Sequence, residues 1–304
     1  MKGILFYPVY VLIWFITLLP LPLLYLLSDF CYLILNYLAR YRRKVVYGNL
    51  KKSFPDKSHR EIKHIARRFY RCLCDYFIES VYRIHMDEEE NARRFYYTNP
   101  ELLLDLYKKG KSIVLLLSHY GNWEWPTRLP QLAPFSILAI YKPLSNKYVD
   151  NLFLKLRSQF GAIGVPMEST LRTLLTYHQN KQPVILYTLG DQRPQWTSIQ
   201  HWTTFLNQDT PVITGPEKIA RKFDYSVCFL DIQKIRRGYY RAGFKLICEH
   251  PGEVPEYHIT KAFHAMVEKR IRERPELWLW SHKRWKYYRQ EAKDPRFIGD
   301  LTGY

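Results

Sequence analysis

The sequence predicts an α/β domain with a mostly parallel central sheet flanked by helices, preceded by an N-terminal membrane-anchoring helix. Short apolar runs alternate with segments whose apolar residues recur at helical spacing, a pattern typical of parallel strands joined by helices. Residues 3–28 contain no charged side chain, and this stretch is longer than the roughly 20 residues that a helix needs to cross a bilayer. We therefore expect residues 1–39 to form a membrane anchor and residues 40–304 to form one domain.

Prolines interrupt the anchor. Pro8, Pro20 and Pro22 each remove a backbone donor, so a single tilted span and a broken, partly re-entrant anchor both fit the sequence. A second apolar run at 30–39 leads into the basic cluster at 40–44, whereas only Lys2 precedes the first run. The positive-inside rule therefore predicts that the domain lies on the cytoplasmic face. The alternative is a buried hydrophobic helix of a soluble protein.

Composition narrows the class of partner. The chain has 304 residues, a net charge of +18 and 16% aromatic residues. A strongly basic protein attracts nucleic acid, acidic proteins or anionic lipid, and abundant Tyr and Trp favour the lipid surface, although these rings also stack on bases. The five cysteines show no CxxC or zinc-ligand spacing, so we expect reduced thiols in a cytoplasmic compartment. No nucleotide-binding or metal-binding motif supports a cofactor.

The first helix of the domain begins at a capping box, Ser58-x-x-Glu61. Apolar residues then recur at helical spacing as far as Ile84, which predicts a face directed toward the core. The opposite face is basic and is either merely solvated or a docking surface for acidic partners. Its residues are Lys63, His64, Arg67, Arg68 and Arg71.

An uninterrupted aliphatic run at 113–117 predicts a strand buried on both faces. Other strands are predicted at 135–141, 162–165 and 183–189, with a late and plausibly antiparallel pair at 226–231 and 242–249. Helices are predicted between them, at 101–109, 149–160, 171–178, 214–223 and 259–273.

His119 and Glu124 follow the strand at 113–117. Open α/β sheets bind their ligands at the carboxyl ends of strands. If the chain turns at Gly121, the Glu124 carboxylate can hydrogen-bond the imidazole and fix its tautomer, as the acid of a catalytic triad does. The alternative is a structural histidine beside a solvated glutamate.

Asp191 and Gln192 follow the strand at 183–189. In a parallel sheet, Asp191 shares an edge with His119; the alternative is an Asx turn over Gln192 and Arg193. Arg157 lies at the border of an apolar helical stripe, where an arginine must reach solvent or pair with an anion. Both roles of Arg157, structural pairing and substrate binding, fit this pattern.

Five blocks occur in order along the chain, and a further one precedes them. They are His119-x-Gly121-Asn122-Trp123-Glu124; Tyr141-Lys142-Pro143-Leu144 with Asn146; Arg157 ahead of Gly161; Asp191-Gln192; Trp278-x-Trp280-x-His282-x-Arg284-Trp285-Lys286; and, upstream, Asn49-Leu50 with Ser53-Phe54-Pro55. Over nearly its whole length the sequence resembles the lipid A biosynthesis late acyltransferase family, of the lauroyl and myristoyl type. It departs from the family at 204–207, where members commonly carry an aromatic pair and a glycine, which affects loop geometry and acyl-chain fit.

The resemblance implies a glycerolipid-acyltransferase-like fold and O-acyl transfer at the bacterial inner membrane. The acyl donor would be a thioester on acyl carrier protein, and the acceptor a hydroxyl of a lipid A precursor. His119 would be the general base and Glu124 its orienting acid. The chain has no nucleophile elbow of the GxSxG type, so direct attack by the acceptor is preferred over an acyl-enzyme.

Six further residues are expected to bind substrate: Asn122, Lys142, Arg157, Asp191, Gln192 and Arg193. Of these, Lys142, Arg157 and Arg193 carry charges suited to phosphate groups. Backbone donors near Gly121 and Asn122, or Arg157, are candidates for stabilising the oxyanion.

Two other functions are compatible with parts of the sequence. One is acylation of a different membrane lipid, such as an aminolipid, a lysophospholipid or a mannoside, because the His119 block would look the same. The other is a membrane-tethered, non-catalytic nucleic-acid-binding protein; it has no recognised binding module here and leaves the His–Glu block unexplained, so we expect no nucleic acid partner. The tryptophans at 278–285 suit either a collar at the membrane surface or a buried core.

Overall fold

The computed structural model describes residues 2–289 and contains a seven-stranded sheet in the order β1-β9-β8-β2-β5-β3-β4. Neighbouring strands of this sheet are parallel except β8 and β9, while β6 and β7 form a separate antiparallel hairpin. The strands are β1 Phe95–Tyr97, β2 Ile113–Leu117, β3 Ser136–Tyr141, β4 Ile163–Pro166, β5 Val184–Leu189, β6 His201–Phe205, β7 Gln208–Val212, β8 Ser226–Arg236 and β9 Tyr239–Cys248. The predicted α/β class, mostly parallel sheet and antiparallel late pair are confirmed.

Helices cover both faces of the sheet. One core lies beneath α3, α4, α8, α9 and α10, and the other lies beneath α2, α6 and the loop that follows β2. The helices are α1 Lys2–Ile16, α2 Leu21–Leu33, α3 Arg43–Ser53, α4 His59–Tyr82, α5 Glu88–Arg94, α6 Glu101–Lys108, α7 Lys147–Arg157, α8 Thr170–Gln179, α9 Gly215–Phe223 and α10 His258–Glu273. Every residue of β2 is buried, because helices lie above and below it and strands flank both its edges; this explains its unbroken aliphatic sequence.

The N-terminal apolar region is a broken helix rather than one continuous span. α1 ends at Ile16 and α2 begins after Pro20, which fixes the turn between them. α2 continues as a π-helical turn, Ile34–Leu38. By length and composition, the stretch Leu21–Leu38 can cross a membrane, with a mean hydropathy of 1.5. A shorter apolar helix covers Phe6–Ile16.

α2 packs directly on the domain. Tyr25 donates its hydroxyl hydrogen to Glu79 at 2.8 Å, and Ser28 donates to Asp75 at 2.8 Å, both on α4. Its opposite side exposes large apolar residues, including Leu23, Leu26, Phe30 and Leu33. The helix therefore has one face bonded to the domain and one apolar face directed outward. The boundary expected at residue 39 stays a prediction.

α4 begins with the capping box that the sequence predicts. Ser58 accepts from the backbone N–H of Glu61, and the Glu61 carboxylate accepts from the backbone N–H of Ser58 at 2.8 Å. The basic residues predicted on its outer face are exposed. Four parts of the fold were not predicted, namely α3, α5, β1 and the β6–β7 hairpin. The hairpin turns at Leu206 and Asn207, whose φ angles are 51° and 62°. The sequence at this turn lacks the Asn-Gly or Asp-Gly pair that usually predicts such a left-handed turn.

Candidate active site

The carboxyl ends of β2 and β5 bring His119 and Asp191 to the same edge of the sheet. These strands are adjacent and parallel, and Leu117 is paired with Leu189. Each polar residue follows its strand by two positions, so the two side chains lie opposite each other. The shared edge expected from the sequence is confirmed.

Asp191 holds the His119 imidazole. His119 Nδ1 lies 2.7 Å from Asp191 Oδ1, and the His119 backbone N–H donates to Oδ2 at 2.9 Å. Trp278 Nε1 donates to the same Oδ2 at 2.7 Å. Because a carboxylate accepts hydrogen bonds, this contact assigns the Nδ1–H tautomer to the neutral imidazole, which leaves the lone pair of Nε2 available.

Asp191 is 0% exposed, so its charge depends on its partners. Burial alone would raise the pKa of Asp191, but the attraction of His119 and the hydrogen bonds from His119 and Trp278 lower it to about 2. Asp191 is thus a carboxylate throughout the neutral range. Because it is fully buried and bonded to protein groups, it positions the histidine, and the role in substrate binding expected from the sequence does not fit its place.

Glu124 does not bond His119, and this geometric expectation is wrong. The chain does turn at Gly121, where φ is +66°, but the Glu124 carboxylate then faces two arginines. Arg157 Nη2 donates to Oε1 at 2.8 Å, and Arg83 Nη1 donates to Oε2 at 3.3 Å. The orienting position beside the imidazole is occupied by Asp191.

The Glu124–Arg83–Arg157 cluster is largely buried. Glu124 is 8% exposed, Arg83 is 2% exposed, and the Arg157 side chain is 31% exposed. Burial would raise the pKa of Glu124, but Arg157 and Arg83 outweigh it and hold the pKa below its usual range. Burial likewise lowers the pKa of Arg83, which Glu124 opposes. Each charge in this cluster therefore depends on the others.

Arg83 and Glu79 were missed by sequence reasoning. Asp75, Glu79 and Arg83 are spaced by four residues along α4 and its C-cap, which places three charges in one line on the buried side of the helix. Two of them reach the loop that carries Glu124. The spacing of four residues is the sequence pattern from which Glu79 and Arg83 could have been identified.

Asn122 fixes the turn from inside the protein. Its Nδ2 donates to Glu79 Oε2 at 2.7 Å, and its Oδ1 accepts from the Glu124 backbone N–H at 3.2 Å. Tyr25 and Tyr240 also donate to Glu79, each at 2.8 Å. Asn122 is fully buried and is not part of the cavity lining, so it supports the loop and does not reach a substrate from this position.

The backbone N–H of Gly121, a candidate oxyanion donor, is already used. It donates to the carbonyl oxygen of Leu277 at 3.0 Å. This donor is therefore not free to stabilise a reaction intermediate.

His119 opens onto a cavity of about 460 Å³ with mainly apolar walls. Among the predicted substrate residues, Lys142, Arg157 and Gln192 line it, together with His119 and Glu124. Arg193 is not among the lining residues; it lies over the Tyr287 ring at 5.0 Å. The apolar walls include Leu129, Ile137, Ala139, Phe153, Ala162 and Leu189.

The tryptophans of the C-terminal segment belong to the core. Trp278, Trp280 and Trp285 are buried, and their indole N–H groups donate to Asp191, to the Pro275 carbonyl and to Thr210, respectively. The segment also contacts the histidine, because the Leu279 backbone N–H donates to the His119 carbonyl at 3.1 Å. Of the two readings of this segment, the structure favours the core over the membrane collar.

The arrangement is suited to removing a proton beside an apolar ligand. Nε2 of a histidine whose Nδ1 is bonded to a carboxylate is a general base of the kind used to activate alcohols. Within residues 2–289, no group of three or more His, Cys, Asp or Glu side chains has an arrangement able to hold a metal ion. All five cysteines are free thiols, as expected.

Comparison with known families gives one finding. The model of a family described as bacterial lipid A biosynthesis acyltransferase matches residues 2–287. No curated protein matches the chain. The family match covers nearly all of the sequence and confirms the resemblance drawn from its motifs.

Proposed function

Because the chain belongs to the bacterial lipid A biosynthesis acyltransferase family, we propose that it transfers a fatty acyl chain from a thioester to a hydroxyl group of a lipid A precursor. The acyl donor in this proposal is acyl carrier protein, and the product is an ester. One observation carries the proposal: a histidine held by a buried carboxylate faces an apolar cavity. The apolar cavity suits an acyl chain, and the histidine suits an alcohol.

In the proposed reaction, His119 Nε2 takes the proton from the acceptor hydroxyl as its oxygen attacks the thioester carbonyl. The new C–O bond gives a tetrahedral intermediate, which collapses as the C–S bond breaks. The imidazolium then returns its proton to the departing thiolate. Asp191 stabilises the imidazolium throughout, and general-base assistance of this kind contributes about 10²–10⁴-fold to the rate.

We assign different roles to the two carboxylates. Asp191 positions His119, whereas Glu124 positions Arg157 at the cavity wall and also bonds the buried Arg83. Arg157 is partly exposed in the cavity, so its guanidinium is our candidate for stabilising the oxyanion. Lys142 and Gln192, at the same cavity, are our candidates for polar contacts with substrate.

We also propose that the protein acts at the cytoplasmic face of the bacterial inner membrane. The exposed apolar side of α2 and its π-helical continuation supports insertion. The basic cluster at 40–44 supports a cytoplasmic domain.

Mass spectrometry of lipids from cells that lack this protein tests the acceptor. We expect lipid A that lacks one secondary acyl chain, restored by the wild-type chain and not by His119→Ala. Unchanged lipid A together with loss of an acyl chain from another lipid would contradict the proposed acceptor and favour an aminolipid, lysophospholipid or mannoside.

Salt is expected to weaken the use of a protein-bound donor. Acyl carrier protein, the donor that the family resemblance implies, is an acidic protein, and the outer face of α4 is basic. Exposed charges would therefore attract the two proteins to each other. Since such attraction is screened within about 10 Å at 0.1 M salt, we expect kcat/KM to fall about 10-fold between about 0.05 M and about 0.5 M salt.

The control for the salt experiment is an acyl thioester of a small neutral thiol. Its kcat/KM should change little over the same salt range. The double variant Lys63→Glu with Arg67→Glu should lower kcat/KM for the carrier-bound donor alone. Equal salt dependence for both donors would contradict electrostatic docking.

A further inference from the structure

Arg284 is a buried cation that the proposed mechanism leaves unused. It is 0% exposed. Within residues 2–289, no hydrogen-bond acceptor lies within reach of its Nε, Nη1 or Nη2. Arginine is almost never fully buried without a partner, and buried polar groups are nearly always hydrogen-bonded. A complete guanidinium without an acceptor therefore indicates an anionic ligand.

Two half-buried side chains in the same region also have unmatched nitrogens. Arg193 Nη1 and His282 Nδ1 are buried atoms without a hydrogen-bond partner among the described residues. Because Arg193 and His282 are partly exposed while Arg284 is not, Arg284 forms the inner end of this group and the other two form its outer end. We call Arg193, His282 and Arg284 the cationic site.

The cationic site lies beside the catalytic pair. Arg193 is two residues beyond Asp191. On the other side, Leu279 N–H donates to the His119 carbonyl, and His282 N–H donates to the Leu279 carbonyl at 3.3 Å. Arg284 N–H in turn donates to the His282 carbonyl at 2.9 Å. Successive short turns thus hold residues 279–284 against the loop that carries His119.

The nearby carboxylate does not neutralise the cationic site. Asp191 already accepts from His119 at both oxygens and from Trp278 at Oδ2. Burial lowers the pKa of Arg284 to about 9. Burial, followed by repulsion from Arg284 and Arg193, lowers the pKa of His282 to about 4. The group therefore has excess positive charge, which a bound anion would relieve.

We propose that Arg193, His282 and Arg284 bind a phosphoryl group of one of the two substrates. This inference rests on the proposed acyl transfer. Two guanidinium groups offer planar pairs of N–H donors that match phosphate oxygens bidentately, and His282 supplies a third donor through Nδ1–H. A phosphate held here fixes its substrate near the loop that carries His119.

Two substrates carry a suitable group. A phosphorylated saccharolipid acceptor bears phosphate on its sugar headgroup, and a carrier-bound donor bears a phosphodiester in the arm that holds the thioester. The recognition chemistry is the same for both, so the assignment depends on which substrate loses affinity when the cationic site is altered.

The first experiment measures binding of inorganic phosphate to the full-length protein in detergent by calorimetry, at constant ionic strength. Because a hydrogen bond to a charged group contributes substantially to affinity, Arg284→Gln should raise Kd about 10- to 100-fold. Arg193→Gln, at the partly exposed end of the cationic site, should also raise Kd. This variant tests the proposal if Arg284→Gln does not fold. Arg172→Gln, an exposed position on α8, is the matched control and should leave Kd unchanged.

The second experiment identifies the substrate by steady-state kinetics. If the acceptor phosphate binds, Arg193→Gln should raise KM for the phosphorylated acceptor about 10-fold or more and leave KM for its dephosphorylated analogue unchanged. If the donor arm binds, KM should rise for the carrier-bound donor and not for a small thioester without phosphate.

Two results would overturn the proposal: no phosphate binding by the wild-type protein, or equal Kd values for the wild type, Arg284→Gln and Arg193→Gln. Loss of phosphate binding with unchanged KM for every substrate would also overturn it, because the site would then serve neither substrate. If the wild type binds phosphate through these residues but transfers no acyl chain, the proposed function fails while the anion site stands.

Discussion

Replacing His119 with alanine is expected to lower kcat by about 10²–10⁴-fold, the contribution typical of a general base. Nε2 is the one imidazole nitrogen not bonded to Asp191, and the ring lines the cavity. Alanine cannot accept the hydroxyl proton. It also removes the Nδ1–H that bonds the buried Asp191, so we expect the midpoint of thermal unfolding to fall by a few degrees and the protein to stay folded at the assay temperature. The measurement is acyl transfer from a thioester under saturating substrate, with the thermal midpoint recorded for the same preparation.

His59→Ala is the control, because His59 is an exposed residue in the first turn of α4. It should retain the wild-type rate. A folded His119→Ala protein with full activity would show that the acceptor is deprotonated by another group, and the proposed mechanism would fail.

Asp191→Asn tests the orienting role in the same assay. Asp191 has a pKa of about 2, so the substitution removes a charge at any neutral pH, along with the carboxylate oxygen that selects Nδ1–H. We expect kcat to fall by about 10²–10⁴-fold, as when a triad acid is replaced. KM should change little, because Asp191 is not part of the cavity lining.

Glu124→Gln gives the contrast with Asp191→Asn. It should affect stability more than the chemical step, because Glu124 bonds two arginines and not the imidazole. A greater loss of kcat in Glu124→Gln than in Asp191→Asn, at equal stability, would restore the pairing predicted from the sequence.

The edge of the sheet that carries the site was predictable, but the partner of His119 was not. Periodicity and apolar runs identify β2 and β5, and a parallel sheet brings the ends of such strands together. That argument places Asp191 beside His119 as readily as the turn at Gly121 places Glu124. Spacing along the chain does not show where a side chain points after a turn. Arg83, which binds Glu124, lies 41 residues away on another element.

The tryptophan segment shows a second limit of sequence. Three tryptophans among basic residues fit a membrane collar and a core equally well, since an indole has an apolar body and one donor. The distinction depends on acceptors from distant elements: Asp191 and Thr210 are 87 and 75 residues from their indole donors. The β6–β7 hairpin was missed for a local reason, because Leu206 adopts a positive φ that an apolar residue seldom takes.

Replacing Glu124 with alanine is expected to destabilise the protein by about 3–5 kcal/mol, because it leaves two guanidinium groups without their buried carboxylate. Arg83 is affected most, because it is 2% exposed. Among residues 2–289, its Nε has no hydrogen-bond partner, and the bond left to its guanidinium is from Nη2 to the Leu156 carbonyl. Arg157 is less affected, since its side chain is partly exposed. The thermal midpoint in detergent should fall by roughly 5–15 °C.

A double variant separates the loss of pairing from the loss of packing. Arg83→Leu with Glu124→Leu removes the buried charge together with its partner, and such replacements are often close to neutral. We expect the double variant to be more stable than either single leucine variant, with a coupling free energy of about 1–3 kcal/mol. Glu89→Ala, at an exposed position on α5, should change stability by about 0.5 kcal/mol or less.

Additive effects in the double variant would contradict the account of this cluster, because independent residues show no coupling. If coupling is found, the loss of pairing that destabilises Glu124→Ala also accounts for a lower kcat of this variant. Arg83 also bonds the Leu156 carbonyl at the end of α7, and Arg157 is the last residue of that helix. Loss of Glu124 would therefore displace the end of α7 that borders the cavity. The double variant Arg83→Leu with Glu124→Leu should have a higher kcat than Glu124→Ala only to the extent that Arg157 returns to its wild-type position. That result would make Glu124 a positioning residue rather than a second base.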